Sequence, residues 1–335
     1  MTTENNPSLL RKLCEEPEFE LFCVDVPLPD NPLKNLNCYM LRSGGKLLVI
    51  DTGFRIPETS AVLLGALAEL GVSFQDITLF LTHLHSDHTG LADTFADAGC
   101  TIYMSAVDYD MFVFTRKDKE HFVAYHREGF PMVELLEQQK ANPAAVFAPL
   151  KTFEATTFED GFRFQIGEVE LQAIYTPGHT PGHSCLYIPK YEIMFLGDHV
   201  LFDITPNITV WPKVDNSLQN YLDSLKKIEQ YPIKVALPAH RKNEMDVYQR
   251  ISDIQIHHAR RLENTLEIIG EHPDSTAYEI ASYMTWSMRG KDWTEFPLHQ
   301  KWFAVGETLS HLDLLRLEGK ITKVADGEIF RYRLV

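Results

Sequence analysis

Thr82-His83-Leu84-His85-Ser86-Asp87-His88-Thr89-Gly90 follows directly on a short apolar run, Ile77 to Leu81. Four groups able to bind a metal sit within six positions of this stretch. In the extended end of a strand, His83 and His85 point to one side. A turn then brings Asp87 and His88 round towards a second position nearby. Imidazole nitrogen combined with carboxylate oxygen suits zinc, and also iron or manganese. A cluster this dense is not what scattered surface histidines produce, so it directs the reading of the remaining chain.

Three later segments carry matching donors. Tyr175-Thr176-Pro177-Gly178-His179-Thr180-Pro181-Gly182-His183-Ser184 places His179 in a tight turn after a strand. Phe195-Leu196-Gly197-Asp198-His199 places Asp198 at the end of an apolar strand. Ala236-Leu237-Pro238-Ala239-His240 ends another such strand in His240. Each donor stands where a buried strand leaves its sheet, so all can converge at one edge. His83, His85, Asp87, His88, His179, Asp198 and His240 make seven ligands, five of them imidazoles, which is what two adjacent divalent metals require. His183 and His199 neighbour these motifs and are assigned a supporting role, with proton donation or substrate contact as the alternative. His121, His126, His257, His258, His272, His299 and His311 have no such context and are read as ordinary surface or core groups.

Around these motifs the pattern is strand-rich, helical, strand-rich, then helical. Strands are expected over 19–26 and 36–51, the latter a hairpin turning at Ser43-Gly44-Gly45. A helix is expected over 57–70, with Gly71 as its stop. Further strands are expected at 77–81, 101–104, 162–175 (broken at Gly167-Glu168), 185–188, 192–196 and 233–237. Helices are expected over 91–98, 218–231 and 244–270. Residues 105–139 differ: charged, helical in composition and aromatic (Tyr109, Phe112, Phe114, Phe122, Tyr125, Phe130). They read as a helical pair packed on the core, or a cap over a pocket. Residues 273–335 form a separate unit of two helices, at 276–284 and 305–317, and a hairpin at Asp326-Gly327; this is a winged-helix pattern. The domains are thus 1–270, with a cap-like insertion at about 105–145, and 273–335. The fold class is α/β, two packed sheets with helices outside.

The chain has 335 residues, 44% hydrophobic and 23% charged, and a formal charge of −16. The composition is globular. The charge repels phosphate backbones, so broad nucleic-acid binding is not expected. Within 273–335, eight Lys/Arg face nine Asp/Glu, although Lys320, Lys323, Arg331 and Arg333 alternate on the hairpin. Five scattered cysteines form neither a disulfide framework nor a zinc-finger spacing. The polar start lacks the features of a signal peptide, and no apolar run reaches the length of a membrane span. A cytoplasmic protein is expected.

His83-x-His85-x-Asp87-His88, with His179, Asp198 and His240 in order, resembles the metallo-β-lactamase superfamily over about residues 19–245. The resemblance implies an αββα sandwich with its site at one edge. It implies that His83, His85 and His179 hold the first metal, that Asp87, His88 and His240 hold the second, and that Asp198 bridges them. Asp51 matches the early aspartate that supports the ligands without binding metal. Asp198 stands where members that hydrolyse β-lactams commonly have cysteine, so antibiotic hydrolysis is not expected. His85 stands where flavo-diiron proteins have glutamate, which disfavours reduction of oxygen or nitric oxide. The C-terminal unit, with Trp302-Phe303-Ala304-Val305-Gly306-Glu307-Thr308 and His311-Leu312, is similar to that of lactamase-like endoribonucleases and hydroxyacylglutathione-hydrolase-like proteins.

The expected activity is that of a metal-dependent hydrolase. A hydroxide bridging two zinc ions (or iron or manganese) would attack an ester, thioester or lactone of a small molecule, with Asp87 orienting it. The alternative is an endoribonuclease or phosphodiesterase that grips nucleic acid with the winged unit. Small-molecule substrates, no membrane and a homodimer as one option complete the expectation.

Overall fold

The computed structural model describes residues 8–29, 31–117, 121–141, 143–287 and 292–335, without the side chains at 121, 122, 139, 141, 143 and 144. Arg289, Lys291, the chain start and the side chains of His121 and Phe122 therefore lie outside the described residues.

Alternating apolar residues build a first sheet of seven strands in sequential order: β1 (Arg11–Glu16), β2 (Phe19–Pro27), β3 (Asn35–Ser43), β4 (Lys46–Ile50), β5 (Ile77–Phe80), β6 (Thr101–Ser105) and β7 (Thr156–Phe158). β1 to β4 form an antiparallel meander. Its β3–β4 turn uses Gly44 and Gly45 at φ 53° and 76°, the left-handed pair that a tight hairpin demands. β4 to β7 run parallel, so each link needs a crossover. The first crossover is α1 (Pro57–Leu70), started by a proline in its first turn and ended by left-handed Gly71, whose N–H meets the carbonyls of Leu67 and Ala68. The second contains α2 (Ser86–Thr89) and α3 (Ala92–Asp97). The third is the aromatic insertion, which folds as four helices and not as a pair: α4 (Ala106–Thr115), α5 (His121–Arg127), α6 (Met132–Ala141) and α7 (Pro143–Val146).

The second sheet has the order β12-β11-β10-β9-β8, from β8 (Arg163–Ile166), β9 (Val169–Tyr175), β10 (Ser184–Ile188), β11 (Ile193–Gly197) and β12 (Val235–Pro238). β11 and β12 are parallel and are linked through α8 (Ser217–Ile228). The two sheets pack face to face. Leu21, Leu41, Leu48 and Phe80 meet Leu171, Ala173, Leu186 and Phe195 between them. The period of two sends Phe22, Val24, Val49 and Leu79 to the other face, onto Leu63, Leu67 and Phe95 of α1 and α3. Ile174, Cys185 and Leu196 likewise cover Leu218, Tyr221 and Leu225 of α8 and Ile251 of α9 (Val247–Glu271). This is the expected αββα sandwich.

A fourth core lies beyond the sandwich. Tyr125, Phe130 and Leu135 of the insertion pack with Ile268 and Ile269 from the end of α9. They also meet Ile280 of α10 (Ala277–Tyr283), Val305, Leu309 and Leu312 of α11 (Leu298–Leu317), and Tyr332 of the hairpin β13 (Ile321–Asp326)–β14 (Ile329–Leu334). The insertion thus shares its core with the C-terminal unit. α11 begins at Leu298, before the expected position 305, because Pro297 supplies a helix start and Lys301 is buried beside Glu134 and Trp293.

Candidate metal centre

The seven sequence-predicted donors meet at one end of the sandwich. β5 stops at Phe80, so His83 and His85 lie in a bend and not in an extended strand as expected. The bend still brings His83 Nε2 within 3.1 Å of His85 Nδ1. His85 is then the residue before α2, whose single turn carries Asp87 and His88. His179 enters from the loop after β9, Asp198 from the end of β11 and His240 from beyond β12.

The donors fall into two groups joined by a third. His83, His85 and His179 form one, Asp87, His88 and His240 the other, and His83, His88 and Asp198 overlap both, each group with its ligand atoms within 4.8 Å of one another. Asp198 divides its carboxylate between them. Its Oδ2 lies 3.6 Å from His179 Nε2, and its Oδ1 lies 3.7 Å from His88 Nε2 and 3.4 Å from His240 Nε2. His240 Nε2 is also 3.3 Å from His88 Nε2 and 3.4 Å from Asp87 Oδ2. Tetrahedral ligands at zinc bond lengths lie about 3.4 Å apart, so this spacing fits a cation between the donors. Two buried atoms facing this space, His179 Nε2 and Asp198 Oδ1, have no hydrogen-bond partner among the described residues. In a native fold such atoms call for an explanation, and a cation supplies one.

The opposite edges of the imidazoles are fixed. His88 Nδ1 donates to Asp51 Oδ2 at 2.8 Å, His179 Nδ1 to the Asn207 carbonyl at 2.8 Å and His240 Nδ1 to the Asn35 carbonyl at 2.9 Å, with these tautomers set by the acceptors. His83 Nδ1 lies 3.0 Å from Thr82 Oγ1, which itself donates to Asp51 Oδ2 at 2.8 Å. Asp51 also takes the Thr82 N–H at 2.9 Å, and so steadies two candidate ligands, His88 directly and His83 through Thr82. Its φ of 62° is unusual for a residue with a side chain and is maintained by this network. His183 accepts the Asp198 N–H at 3.1 Å through Nε2, while Nδ1 meets Thr176 Oγ1 at 2.8 Å. It steadies the Asp198 loop. Gly197 is required there: its φ is 52°, and a Cβ would lie 2.5 Å from His183 Nε2. His199 packs on Tyr221 instead, at 5.3 Å between rings, and Tyr221 donates its hydroxyl to the His199 carbonyl at 2.8 Å.

Asp108 carries no signal in the sequence alone. This buried residue of α4 accepts from Leu84 N at 2.9 Å, Thr180 Oγ1 at 2.6 Å and Gly182 N at 2.5 Å. It therefore ties the loop of His83 and His85 to the loop of His179. Burial pushes its carboxyl up to about 6, against the pull of those three donors. Trp211 is a second unforeseen member. Its indole N–H donates to the His179 carbonyl at 3.2 Å, and its ring lies 5.8 Å from that of His85.

The two groups differ electrostatically. Burial, reinforced by neighbouring imidazoles, lowers His83 far below the usual histidine range and takes His85 to about 3. Burial lowers His179 as well, although Asp198 opposes it. Burial also opposes charge on His88, yet Asp51, Asp87 and Asp198 raise it to about 10. His240 is raised by Asp198 and Asp87 in the same way, against its burial. The first group thus offers neutral imidazoles, and the second is anionic enough to attract a cation or, failing that, a proton.

The chain matches the family model described as "Metallo-beta-lactamase superfamily" over residues 32–240 and that described as "Metallo-beta-lactamase-like, C-terminal domain" over residues 262–335. It is 26% identical over 213 residues to an atrochrysone carboxyl ACP thioesterase of Emericella nidulans, covering 64% of this chain and 53% of that protein. The chain thus spans about half the length of that relative. It is 24% identical over 325 residues to a probable metallo-hydrolase of Bacillus subtilis, covering 94% and 98%. Among solved structures, a metallo-beta-lactamase family protein of Thermus thermophilus superposes with a TM-score of 0.79 at 28% identity, over 94% of this chain and 98% of that one. With the family model covering most of the sandwich and all seven donors lying inside it, the chain belongs to the metallo-beta-lactamase superfamily.

Proposed function

We propose that the protein is a dinuclear metal-dependent hydrolase of a small-molecule ester, thioester or lactone, with a thioester as the preferred substrate. The observation that carries this reading is Asp198, whose two oxygens face two separate groups of donors. The thioesterase names of relatives such as that of Emericella nidulans support the thioester. His83, His85 and His179 would hold one cation, Asp87, His88 and His240 the other, and Asp198 both. When bound, zinc, or else iron or manganese, supplies Lewis-acid polarisation of the scissile carbonyl and a water ionised near neutral pH. The chain's own residues do the remaining work. Burial opposes ionisation of Asp87, but His88 and His240 beside it hold its carboxyl well below the usual carboxylate range. Its side chain keeps some solvent exposure, so it serves as hydrogen-bond acceptor for the attacking water and orients it. Asp51, Asn207 and Asn35 fix the ligand rings, so little reorganisation accompanies the reaction.

The nuclease alternative needs a free basic face on the hairpin. Lys320 pairs with Glu318 at 2.8 Å, Lys323 with Glu128 at 2.6 Å and Arg331 with Asp326 at 2.7 Å, while Arg333 pairs with Asp274. All four cations expected to meet phosphate are thus matched by carboxylates. We read the winged-helix-like unit, residues 273–335, as a packing and pocket-forming element of a cytoplasmic enzyme. Among the described residues, no helix is long and apolar enough to cross a membrane. The test is thiol release from acetyl and aryl thioesters of N-acetylcysteamine, with single-stranded RNA as the competing substrate. Turnover of a thioester, abolished by His83→Ala, is expected. Cleavage of RNA without any thioester or ester turnover would replace this reading with the nuclease.

A further inference from the structure

We propose that the cavity between α5, the 210–215 loop and α11 is the acyl pocket, and that it takes a flat, uncharged aromatic acyl group. This rests on the thioester reading above and specifies its substrate.

The cavity measures about 740 Å³, within the range of about 300–1,000 Å³ in which small-molecule sites fall. Its position links it to the metal centre through one residue. Trp211 lines the cavity, yet its ring also lies 5.8 Å from that of His85 and its N–H holds the His179 carbonyl. Trp211 is thus shared by the cavity wall and the surroundings of the donor cluster, and in this assignment an acyl group seated in the cavity must present its carbonyl to the cluster past this indole.

The walls select the ligand. Phe114, Tyr125, Trp211, Val214 and Leu312 present rings and branched aliphatic groups, which favour a flat apolar body. Most of the polar side chains already have partners. Glu128 accepts from Lys323 at 2.6 Å and from the Tyr332 hydroxyl at 2.8 Å. Arg316 pairs with Asp313 at 2.7 Å, and the Tyr125 hydroxyl is 3.1 Å from Thr209 Oγ1. The Arg127 guanidinium stacks on Phe330 at 4.3 Å. A chain of amides, such as a pantetheine arm, would find its partners here already committed, and an anion would meet Asp215 at the exposed rim. An uncharged ring system displaces water without leaving polar groups unpaired. The pocket is walled by the insertion, the C-terminal unit and the 210–215 loop, so most of the residues that choose the substrate lie outside the sheets, and Trp211 couples them to the donor cluster.

Val214→Trp fills the cavity from a half-buried loop position, and Phe114→Ala removes part of its wall. Calorimetric titration with 2-naphthamide, together with kcat and KM for 2-naphthoyl and acetyl thioesters of N-acetylcysteamine, tests the assignment. Wild type is expected to bind 2-naphthamide. Val214→Trp is expected to weaken that binding and raise KM for the naphthoyl thioester at least tenfold, with a several-fold smaller loss of kcat/KM for the acetyl thioester. Should Val214→Trp fail to fold, Phe114→Ala must weaken 2-naphthamide several-fold instead. No binding to wild type, or equal losses for both thioesters, overturns the pocket. Naphthamide binding that is lost in Val214→Trp, without turnover of any thioester, keeps the pocket and removes the thioesterase reading. Thioester turnover with naphthamide binding indifferent to both variants does the reverse.

Discussion

Glu307 of the C-terminal helix reaches across to Asn207: its Oε2 lies 3.4 Å from the Asn207 side-chain amide, and the carbonyl of that same Asn207 accepts the Nδ1 proton of His179. The C-terminal unit therefore helps to aim a donor of the candidate metal centre. Asn207 also donates to the Phe303 carbonyl at 3.1 Å, and Ser310 donates to the Ile208 carbonyl at 2.7 Å, so α11 grips the whole segment. Burial raises the Glu307 carboxyl above its usual range, while Arg261, 2.9 Å away, opposes the shift.

Glu307→Gln leaves the Arg261 guanidinium without its counter-charge in a buried setting. Denaturant unfolding should show a loss of about 3 kcal/mol. Metal extraction by a competing chelator should also become several-fold faster, because His179 loses its anchored acceptor. An unchanged extraction rate would confine Glu307 to a structural role.

Asp51→Asn removes the carboxylate that serves Thr82 and His88 together. Metal affinity, measured by competition with a chromophoric chelator, should fall about 10- to 100-fold, as it does when ligand-supporting carboxylates are lost. The fold should persist, because the core around β4 and β5 is untouched.

Asp108→Ala strands the donors of Leu84, Thr180 and Gly182 inside the protein. Each orphaned donor costs about 1–3 kcal/mol, so the loss should exceed about 3 kcal/mol in equilibrium unfolding. Asp108→Asn keeps one acceptor oxygen and should lose clearly less. Equal losses would show that the carboxylate does not link the two loops.

A buried histidine pair outside the donor cluster predicts acid sensitivity. His258 Nδ1 and His311 Nε2 lie 3.2 Å apart in the core. Burial holds His258 far below the usual histidine range and His311 at about 3. Both are neutral in the fold but take up protons in the unfolded chain below about pH 6.5. The stability is thus fully present above that pH and declines as pH falls from about 6.5 towards 3. His258→Phe should flatten this limb by up to about 1.4 kcal/mol per pH unit, one proton's worth, in unfolding curves collected from pH 7 to 4.5. An unchanged slope would mean that this pair does not drive acid unfolding.

The donor cluster was legible because its residues are dense in sequence and stand at the ends of apolar strands. The sandwich was legible because those strands alternate or run continuously apolar, and because Gly71 and Ser43-Gly44-Gly45 punctuate them. Other features carry weaker local signals. β1 is an edge strand of mostly polar residues, and β7 has only three residues, so neither shows a usable period. Asp108 reads locally as an ordinary acid in the first turn of a helix; its importance comes from contacts with Thr180 and Gly182, distant in sequence. The aromatics at 105–139 announce burial but not a partner, and only the fold shows Tyr125 and Phe130 packed against the C-terminal unit. That pairing, together with the 210–215 loop, also creates the cavity, which no single segment encodes.

Metal titration of the metal-free protein by calorimetry, with elemental analysis of the saturated product, tests the central claim most directly. The account predicts two equivalents of divalent cation per chain in the wild type and loss of one site in His83→Ala/His85→Ala. No cation bound at all, or two equivalents still bound by that double variant with unchanged affinity, would contradict it.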